Sequence, residues 1–261
     1  MMPQLSVYIL TYNEENKISD ALKSVSWADE IVVVDSYSED STTRIAKDMG
    51  ARVVNVPFEG FGKLRNSAIE ACRHEWIFSL DADERCTPSA AAEIRETINL
   101  SGAADAYFIP RRNYFMGRWI KYSGWYPDYR QPQLFKKGAI SFWEEDEVHE
   151  GYDLKGKVDY LANPIWQVPF QNLEQLLVKA NRYSSLGAEK LLRRGVKPGM
   201  SKALFHGLGA FLQIYILKKG FLDGWAGFVI ALGNFEGTFY RYSKVLEKQS
   251  GWENRPGDFD F

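Results

Sequence analysis

The chain has 261 residues, of which 45% are hydrophobic and 25% charged, a composition that suits one large globular domain or a domain with an appendage. Two cysteines without metal-binding spacing exclude a disulfide framework and indicate a reducing compartment. The first residues lack the basic start of a secretory signal, and no nucleic-acid-binding module is visible.

Charge is distributed unevenly along the chain. Residues 1–176 hold 19 Lys and Arg against 27 Asp and Glu, a net charge of −8. Residues 177–248 hold 12 Lys and Arg against 4 Asp and Glu, a net charge of +8. An acidic body makes nucleic acid a poor partner, whereas the basic, apolar C-terminal segment predicts an anionic surface as its partner.

The first eighty residues alternate between apolar strands and amphipathic helices. Strands are predicted at Leu5–Leu10, Ile31–Val34, Arg52–Val56 and Trp76–Leu80. Helices are predicted after Asn13 as the capping residue, at Thr43–Met49 closed by Gly50, and at Gly62–Cys72. This alternation predicts an α/β fold with a right-handed, doubly wound parallel sheet.

Acidic residues follow two of these strands. Asp81 and Asp83 come directly after the fourth strand, where two carboxylates and substrate phosphates suit Mg²⁺ or Mn²⁺. The alternative is an acidic turn that caps a helix starting near Thr87-Pro88. Asp35 follows the second strand, and either caps a helix or accepts hydrogen bonds from a base or ribose. Neither GxGxxG nor a P-loop is present, which argues against a nicotinamide or flavin cofactor and a P-loop ATPase.

The ordered set of motifs resembles a family 2 glycosyltransferase of the GT-A fold, and more narrowly the bacterial lipopolysaccharide-core glucosyltransferase branch. The motifs are TYNEEN (11–16), WADEIVVVDSYSEDST (27–42), GKLRNSA (62–68), WIFSLDADE (76–84), DEVHEG (146–151) and ILKKGFLDGWAG (216–227). The resemblance covers roughly residues 4–248. It implies a Rossmann-like, mostly parallel sheet with flanking helices, and an inverting, metal-dependent transfer from a nucleotide-diphosphate sugar.

The resemblance also implies roles for individual residues. The donor's nucleotide would lie against Thr11, Tyr12, Asn13 and Glu14, with Asp35 at the base. The diphosphate would be reached by Arg65, the ribose or sugar by Asp81, and the Mg²⁺ or Mn²⁺ ion by Asp83 with Asp81. For Arg65 the alternative is a solvated helix face.

Two positions depart from the family's pattern. Tyr37 stands where a glycine usually follows Asp35, so the local backbone geometry is expected to differ. Gln167, in the predicted strand Ile165–Val168, stands where the branch often has a His able to approach the metal. Because a neutral amide is a poorer ligand than imidazole, we hypothesise a weakened or differently tuned metal site.

An inverting transfer needs a general base for the acceptor hydroxyl. The acidic run Glu144–Glu150 offers several candidates, although most of such a run is normally a solvated face. The resemblance favours Glu150 as the base, with Asp146 second and His149 as a residue that orients the base or touches the diphosphate.

The acceptor side is expected within residues 105–150. After a predicted strand at Asp105–Pro110, the segment Arg111–Arg130 is rich in arginine and aromatic residues. These side chains could stack on sugars and bind acceptor phosphates, or form a half-buried loop layer.

The C-terminal part reads as a helical, membrane-interface-like extension. A helix is predicted at Leu173–Leu192, followed by apolar blocks at Ala203–Leu217 and Phe221–Leu232, which are shorter than the ~20 residues that span a bilayer. They are expected to lie in the membrane interface, or alternatively to pack as a helical cap. The predicted domains are residues 1–170, 171–248 and a tail at 249–261.

The leading hypothesis is therefore a glycosyltransferase that moves a sugar, glucose from UDP-glucose by resemblance, onto a lipopolysaccharide-core or other lipid-linked glycan. It would be cytoplasmic and peripheral on the inner membrane. The alternatives are a catalytically weakened nucleotide-sugar-binding protein and a sugar-phosphate nucleotidyltransferase, whose Gly-rich, Arg-containing loop is absent after the first strand.

Overall fold

The computed structural model describes residues 3–144, 151–197 and 199–250. The chain divides into two compact units. The first unit comprises Met1–Asn113 and Tyr126–Pro169, and the second comprises Tyr114–Trp125 and Phe170–Phe261. The excursion Tyr114–Trp125 thus belongs with the C-terminal helices, although it lies within the range 1–170 in the sequence.

The strands are short apart from those at the centre of the first unit. In chain order they are β1 (Leu5–Thr11), β2 (Glu30–Asp35), β3 (Arg52–Asn55), β4 (Trp76–Asp81), β5 (Glu84–Arg85), β6 (Ala106–Phe108), β7 (Arg111–Phe115), β8 (Arg118–Trp119), β9 (Leu134–Lys136), β10 (Ile140–Phe142), β11 (Tyr152–Leu154), β12 (Val158–Tyr160) and β13 (Ile165–Gln167). Seven form the main sheet in the order β12-β6-β9-β4-β1-β2-β3. Only β9 runs antiparallel to its neighbours in this sheet, so the mostly parallel sheet is confirmed.

Helices cover both faces of this sheet. They are α1 (Ile18–Ser24), α2 (Thr42–Asp48), α3 (Phe61–Ala71) and α4 (Pro88–Ile98). Because successive strand residues point to opposite faces, Val7 and Ile9 of β1 join the core beneath α1, α2 and α4, whereas Tyr8 and Leu10 join the core beneath α3. Burial on both faces explains why these strands are continuously apolar in sequence.

Neither capping prediction is confirmed. The helix expected near Thr87-Pro88 is present as α4, but its cap is Thr87, whose hydroxyl accepts a hydrogen bond from the Ala90 amide, and not the acidic turn before it. Asn13 does not cap α1, which begins at Ile18 with Lys17 at the N-cap and no side-chain cap. Asn13 instead adopts a positive φ of 53° and bonds to the neighbouring loop, so that prediction is wrong. An Asn side chain tolerates this conformation better than most residues do.

The second unit is helical. It contains α5 (Leu173–Arg193), α6 (Met200–Leu212), a π-helical continuation (Gln213–Leu217), a 3₁₀ turn (Gly220–Asp223) and α7 (Gly224–Ser250). The break predicted near residues 218–220 is present, with Lys219 in the left-handed region. Both α5 and α6 pack on α7. Asp223 is buried and accepts hydrogen bonds from the Tyr122 amide and the Ser123 hydroxyl, which fastens the 3₁₀ turn to the excursion.

One described helix, Met200–Leu217, is long and apolar enough by length and composition to cross a membrane, with 18 residues and a mean hydropathy of 1.2. It is longer than the apolar block predicted from the sequence, because α6 starts earlier and continues as a π-helix. Only 17% of it is buried within the protein. Its apolar surface therefore remains largely uncovered by the described chain.

Candidate active site

The polar ends of three strands meet at one edge of the main sheet. Thr11 at the end of β1 pairs with Asp35 at the end of β2, and Leu10 pairs with Asp81 at the end of β4. The Ser36 amide donates to the Thr11 carbonyl at 3.0 Å, which extends the β1–β2 ladder past the strands. Strands β1, β2 and β4 thus end at the same edge, which is where open α/β sheets bind ligands.

The loops that follow β1 and β2 are hydrogen-bonded to each other. The Asn13 amide donates to the Ser38 hydroxyl at 2.8 Å, and its side-chain oxygen accepts from the Glu39 amide at 2.9 Å. The Glu14 amide donates to the Thr42 hydroxyl at 2.8 Å. These bonds fix the loop that carries most of the predicted nucleotide-binding residues.

Asp35 is buried at the base of this loop pair, and its carboxylate accepts from the Ser38 amide at 2.8 Å and from the Ser38 hydroxyl. Tyr37, the residue in place of the expected glycine, has a φ of 60°. A tyrosine therefore adopts the left-handed conformation that a glycine would adopt without strain. Its ring is exposed, as is that of Tyr12.

Two buried hydroxyls at this edge have no hydrogen-bond partner within the described residues: Thr11 Oγ1 and Ser36 Oγ. Buried polar groups are normally satisfied, so unpaired hydroxyls at the strand ends suit a polar ligand. The Glu14 carboxylate is 2.9 Å from the Lys17 ammonium, so this side chain is engaged with its own loop.

Arg65 reaches the same edge from α3. It is only 3% exposed, and its guanidinium bonds to the Ser79 hydroxyl at 3.2 Å and the Asp81 carboxylate at 3.3 Å. Its cation also lies 5.6 Å from the centroid of the Phe142 ring. The alternative of a solvated helix face is therefore wrong, and Arg65 and Asp81 form one polar group.

Asp83 lies beside Gln167. The amide nitrogen of this buried glutamine donates to the Asp83 carboxylate at 3.1 Å, and its oxygen accepts from Arg130 at 3.4 Å. Burial raises the pKa of Asp83 to about 7, and the negative charges of Asp81 and Glu84 add to this effect. Gln167, at the position that the resemblance assigns to a metal-approaching histidine, thus lies next to Asp83 and presents an amide there.

Asp81 and Asp83 are the two carboxylates at this edge that would hold a divalent cation. Among the described residues no group of three or more His, Cys, Asp or Glu side chains is arranged to hold a metal, so the described protein would supply Asp81 and Asp83 only. Mg²⁺ and Mn²⁺ sites of this kind take one or two carboxylates, with waters and substrate phosphates as the other ligands. A cation would also relieve the charge repulsion that raises the pKa of Asp83.

Glu84, a residue without a predicted role, supports the turn between Asp81 and Asp83 from within the fold. Glu84 and Arg111 are each 1% exposed and form an ion pair with a separation of 2.5 Å. The second carboxylate oxygen of Glu84 accepts from the Asp81 amide at 3.0 Å and from Gln133 at 3.1 Å. A buried charge pair thus fixes the backbone between the two candidate metal ligands. No local sequence signal pairs residues 27 positions apart.

The second missed group lies on the loop before β9. Arg130 bonds to the Asp128 carboxylate at 2.8 Å while also reaching Gln167, and Asp128 in turn accepts from Asn113 at 3.0 Å. The nearby negative charges of Asp128, Glu84 and Asp81 help to raise the pKa of Arg130, although its burial acts in the opposite direction. The abundance of arginine in the segment Arg111–Arg130 was the signal available in the sequence, but it did not single out Arg130.

The predicted base and its neighbours, Glu150, Asp146 and His149, lie outside the described residues. The chain on either side of them is described. The Trp143 amide donates to the Gly151 carbonyl at 2.8 Å, and Asn66 of α3 donates to the Glu144 carboxylate at 2.9 Å. Phe142, which precedes this segment, contacts Arg65. Both ends of the segment therefore attach close to the Arg65–Asp81 pair.

Both interpretations of the aromatic segment find support, in different residues. Tyr129 is exposed and packs on Tyr160 with ring centroids 5.0 Å apart, and Tyr160 stacks on Phe108 at 5.2 Å. Phe115 is buried instead, and Trp125 packs against the same core of the second unit. Exposed rings on the first unit offer a surface for sugar stacking.

Sequence comparisons place the chain among glycosyltransferases. The family model described as Glycosyl transferase family 2 matches residues 6–150. An uncharacterized glycosyltransferase, RT0209 of Rickettsia typhi, is 32% identical over 94% of this chain and 88% of its own length. The lipopolysaccharide core biosynthesis glycosyltransferase LpsC of Rhizobium meliloti is 27% identical over 96% of this chain and 95% of its own. The crystal structure of S. aureus TarS 1–349 with UDP-GlcNAc aligns at 17% identity and a TM-score of 0.49, covering 97% of this chain and 93% of that one.

Proposed function

This chain belongs to glycosyl transferase family 2, and from that premise we propose that it moves a sugar from a nucleotide-diphosphate sugar onto a lipid-linked glycan, with inversion at the anomeric carbon. The observation that carries the proposal is the group at the strand ends, in which Arg65 bonds to Asp81 and Asp83 lies two residues on. The unsatisfied hydroxyls of Thr11 and Ser36 and the exposed ring of Tyr12 offer contacts for the nucleotide.

In this proposal the donor is a UDP-sugar, and the acceptor is a lipopolysaccharide core or a related glycolipid. Similarity to LpsC, whose name assigns it to lipopolysaccharide core biosynthesis, supports the acceptor class. The family model matches residues 6–150, which include the loop after β1 where a nucleotidyltransferase would need its Gly-rich loop. This match argues against the nucleotidyltransferase alternative.

The chain's own residues divide the chemistry between them. A bound Mg²⁺ or Mn²⁺ would offset the negative charge that develops on the leaving diphosphate. Arg65 adds a fixed positive charge beside Asp81 and needs no reorganisation, because Ser79 and Phe142 already position it. Glu150, with Asp146 as second candidate and His149 beside it, would take the proton of the acceptor hydroxyl.

Donor binding is tested by thermal shift with a panel of nucleotide sugars, with and without Mn²⁺. A ligand that binds only the folded protein raises its melting temperature. The Asp83→Ala variant should lose the Mn²⁺-dependent part of the shift. Asp48→Ala, at an exposed carboxylate on α2, should keep it. An identical shift in both variants would contradict the assigned metal site.

Turnover is tested separately by release of the nucleoside diphosphate. Glu150→Gln should lower the rate about 10²–10⁴-fold, which is the usual contribution of a general base. An active Glu150→Gln together with an inactive Asp146→Asn would move the base to Asp146. Donor binding without turnover in the unmodified protein would favour the weakened nucleotide-sugar-binding protein, for which Gln167 beside Asp83 is the supporting observation.

We further infer that the second unit attaches the protein to the cytoplasmic face of the inner membrane. Large apolar side chains are exposed along α6 and at the start of α7, including Phe205 (71% exposed) and Trp225 (77% exposed), and Lys218 and Lys219 lie in the chain between these two helices. Apolar side chains flanked by lysines suit an interface with anionic lipids. Flotation with phosphatidylglycerol vesicles tests this, and Phe205→Ser with Trp225→Ser should reduce binding. Equal flotation of that variant would refute the assigned surface.

A further inference from the structure

A pocket of about 230 Å³ opens within the second unit, between α5 and α7. The two helices run in the same direction, because Leu176 lies beside Gly233 and Gly187 lies beside Arg241 further along both. The volume is below the range of drug-sized ligand pockets, so it suits one extended chain or a part of a larger ligand.

The two ends of the pocket differ in polarity. At the end nearer the start of both helices the lining is aromatic and aliphatic: Trp125, Phe170, Leu176 and Ile230. At the other end the lining includes Ser184, Thr238 and Arg241. From Leu176 to Ser184 the helix rises about 12 Å, so the apolar and polar ends are well separated.

The charge in the pocket is positive. Arg241 lines its polar end, and the Nε of this arginine is buried with no hydrogen-bond partner among the described residues. Lys179 also lines the pocket, with its ammonium 5.0 Å from the centroid of the Phe170 ring. None of the described lining residues is acidic. A guanidinium in the wall of a pocket whose described lining holds no carboxylate favours an anionic group at this end.

Glycines on α7 create the space. A side chain added at Gly237 would meet no atom within 4 Å, and one added at Gly233 would meet only Leu176 at 3.5 Å. A glycine inside a helix is less stable than an alanine at the same position, so helix formation does not explain the glycines that leave this volume open.

We propose that this pocket binds a single anionic amphiphile, with its apolar chain between α5 and α7 and a phosphate head at Arg241. The chemistry is shared by an anionic phospholipid and by a lipid-linked phosphate of the kind that carries glycans. The site is independent of the strand-end residues that carry the proposed transfer, so it is tested by binding alone.

The experiment measures binding of dodecyl phosphate, below its micellar concentration, to the full chain by isothermal titration calorimetry. Gly237→Leu adds an apolar side chain to the pocket from a position where a Cβ meets no atom within 4 Å, and Arg241→Gln removes the cation at its polar end. Each should weaken binding about tenfold or more. Arg44→Gln is the matched control for Arg241→Gln, because it removes an exposed cation on α2 outside the pocket. It should bind as the unmodified protein does.

Neutral dodecyl maltoside should bind at least tenfold more weakly than dodecyl phosphate, and inorganic phosphate alone should not compete. Equal binding of the neutral amphiphile, or unchanged binding by folded Gly237→Leu and Arg241→Gln, would overturn the proposal. Competition then separates the two sources: displacement by a polyprenyl phosphate assigns the pocket to a lipid-linked acceptor, and displacement by phosphatidylglycerol assigns it to the bilayer. Displacement by neither overturns the proposal.

Discussion

Replacement of Glu84 by glutamine should destabilise the first unit and disturb the turn between Asp81 and Asp83. Glu84 is fully enclosed and accepts hydrogen bonds from Arg111, Gln133 and the Asp81 amide. Glutamine keeps the shape but replaces one carboxylate oxygen with a donor, which then faces another donor. The Arg111 guanidinium stays buried beside it without its countercharge.

The magnitude follows from that burial. Removal of one partner from a buried ion pair costs about 3–5 kcal/mol, because the remaining charge is uncompensated. For a domain of 150–250 residues, each kcal/mol lowers the melting temperature by about 2–4 °C, so the fall should be roughly 6–20 °C. Glu84→Met combined with Arg111→Leu should regain only part of the loss, because apolar groups need no countercharge but the Asp81 amide and Gln133 still lose their acceptor.

Differential scanning calorimetry of the unmodified chain and the variants measures the change. The matched control is Glu59→Gln, which removes the 2.9 Å ion pair between Glu59 and Lys63 at the exposed start of α3 and should leave the melting temperature unchanged. The buried pair does not support the turn if the melting temperature of Glu84→Gln equals that of the unmodified protein, or is lowered no more than that of Glu59→Gln.

Three further outcomes are expected. Mn²⁺ should stabilise the protein more at pH 8 than at pH 6, because the Asp83 carboxyl, with its pKa raised to about 7, must lose a proton before it can bind the cation; an equal shift at both pH values, measured by thermal shift, would contradict this. Arg65→Met should lower the turnover number about 10²–10³-fold while UDP still binds, and calorimetric titration with UDP separates the two effects. Burial raises the pKa of the Cys72 and Cys86 thiols to about 12, so neither should react with a thiol reagent in the native state at pH 8, whereas both should react in denaturant; native labelling in seconds would refute the burial.

The strand ends could be predicted because the chemistry there is local. Each of Thr11, Asp35 and Asp81 follows directly on an apolar strand, and the parallel order of the strands brings their carboxyl ends together. The ion pair of Glu84 with Arg111 could not be predicted in this way, because it depends on two segments that meet only in the folded sheet. The contact of Arg130 with Gln167 could not be predicted for the same reason.

Helix boundaries illustrate a second limit. The periodicity of apolar residues indicated where α1 lies, but Asn13 was assigned the capping role on residue type alone. The folded chain uses Asn13 to join the loops after β1 and β2, since its positive φ turns the side chain toward Glu39. A residue that favours both caps and turns is resolved only by its tertiary neighbours.

The hydrogen bonds between residues 13–15 and 38–42 have a consequence for the thermodynamics of donor binding. The amides of residues 13–15 already donate to Ser38, Thr42 and Asp40. The conformational entropy of these two loops is therefore lost during folding and not when the nucleotide binds. Calorimetry of UDP binding should therefore show a heat-capacity change set by the buried ligand surface, without the larger contribution of a loop that folds on binding.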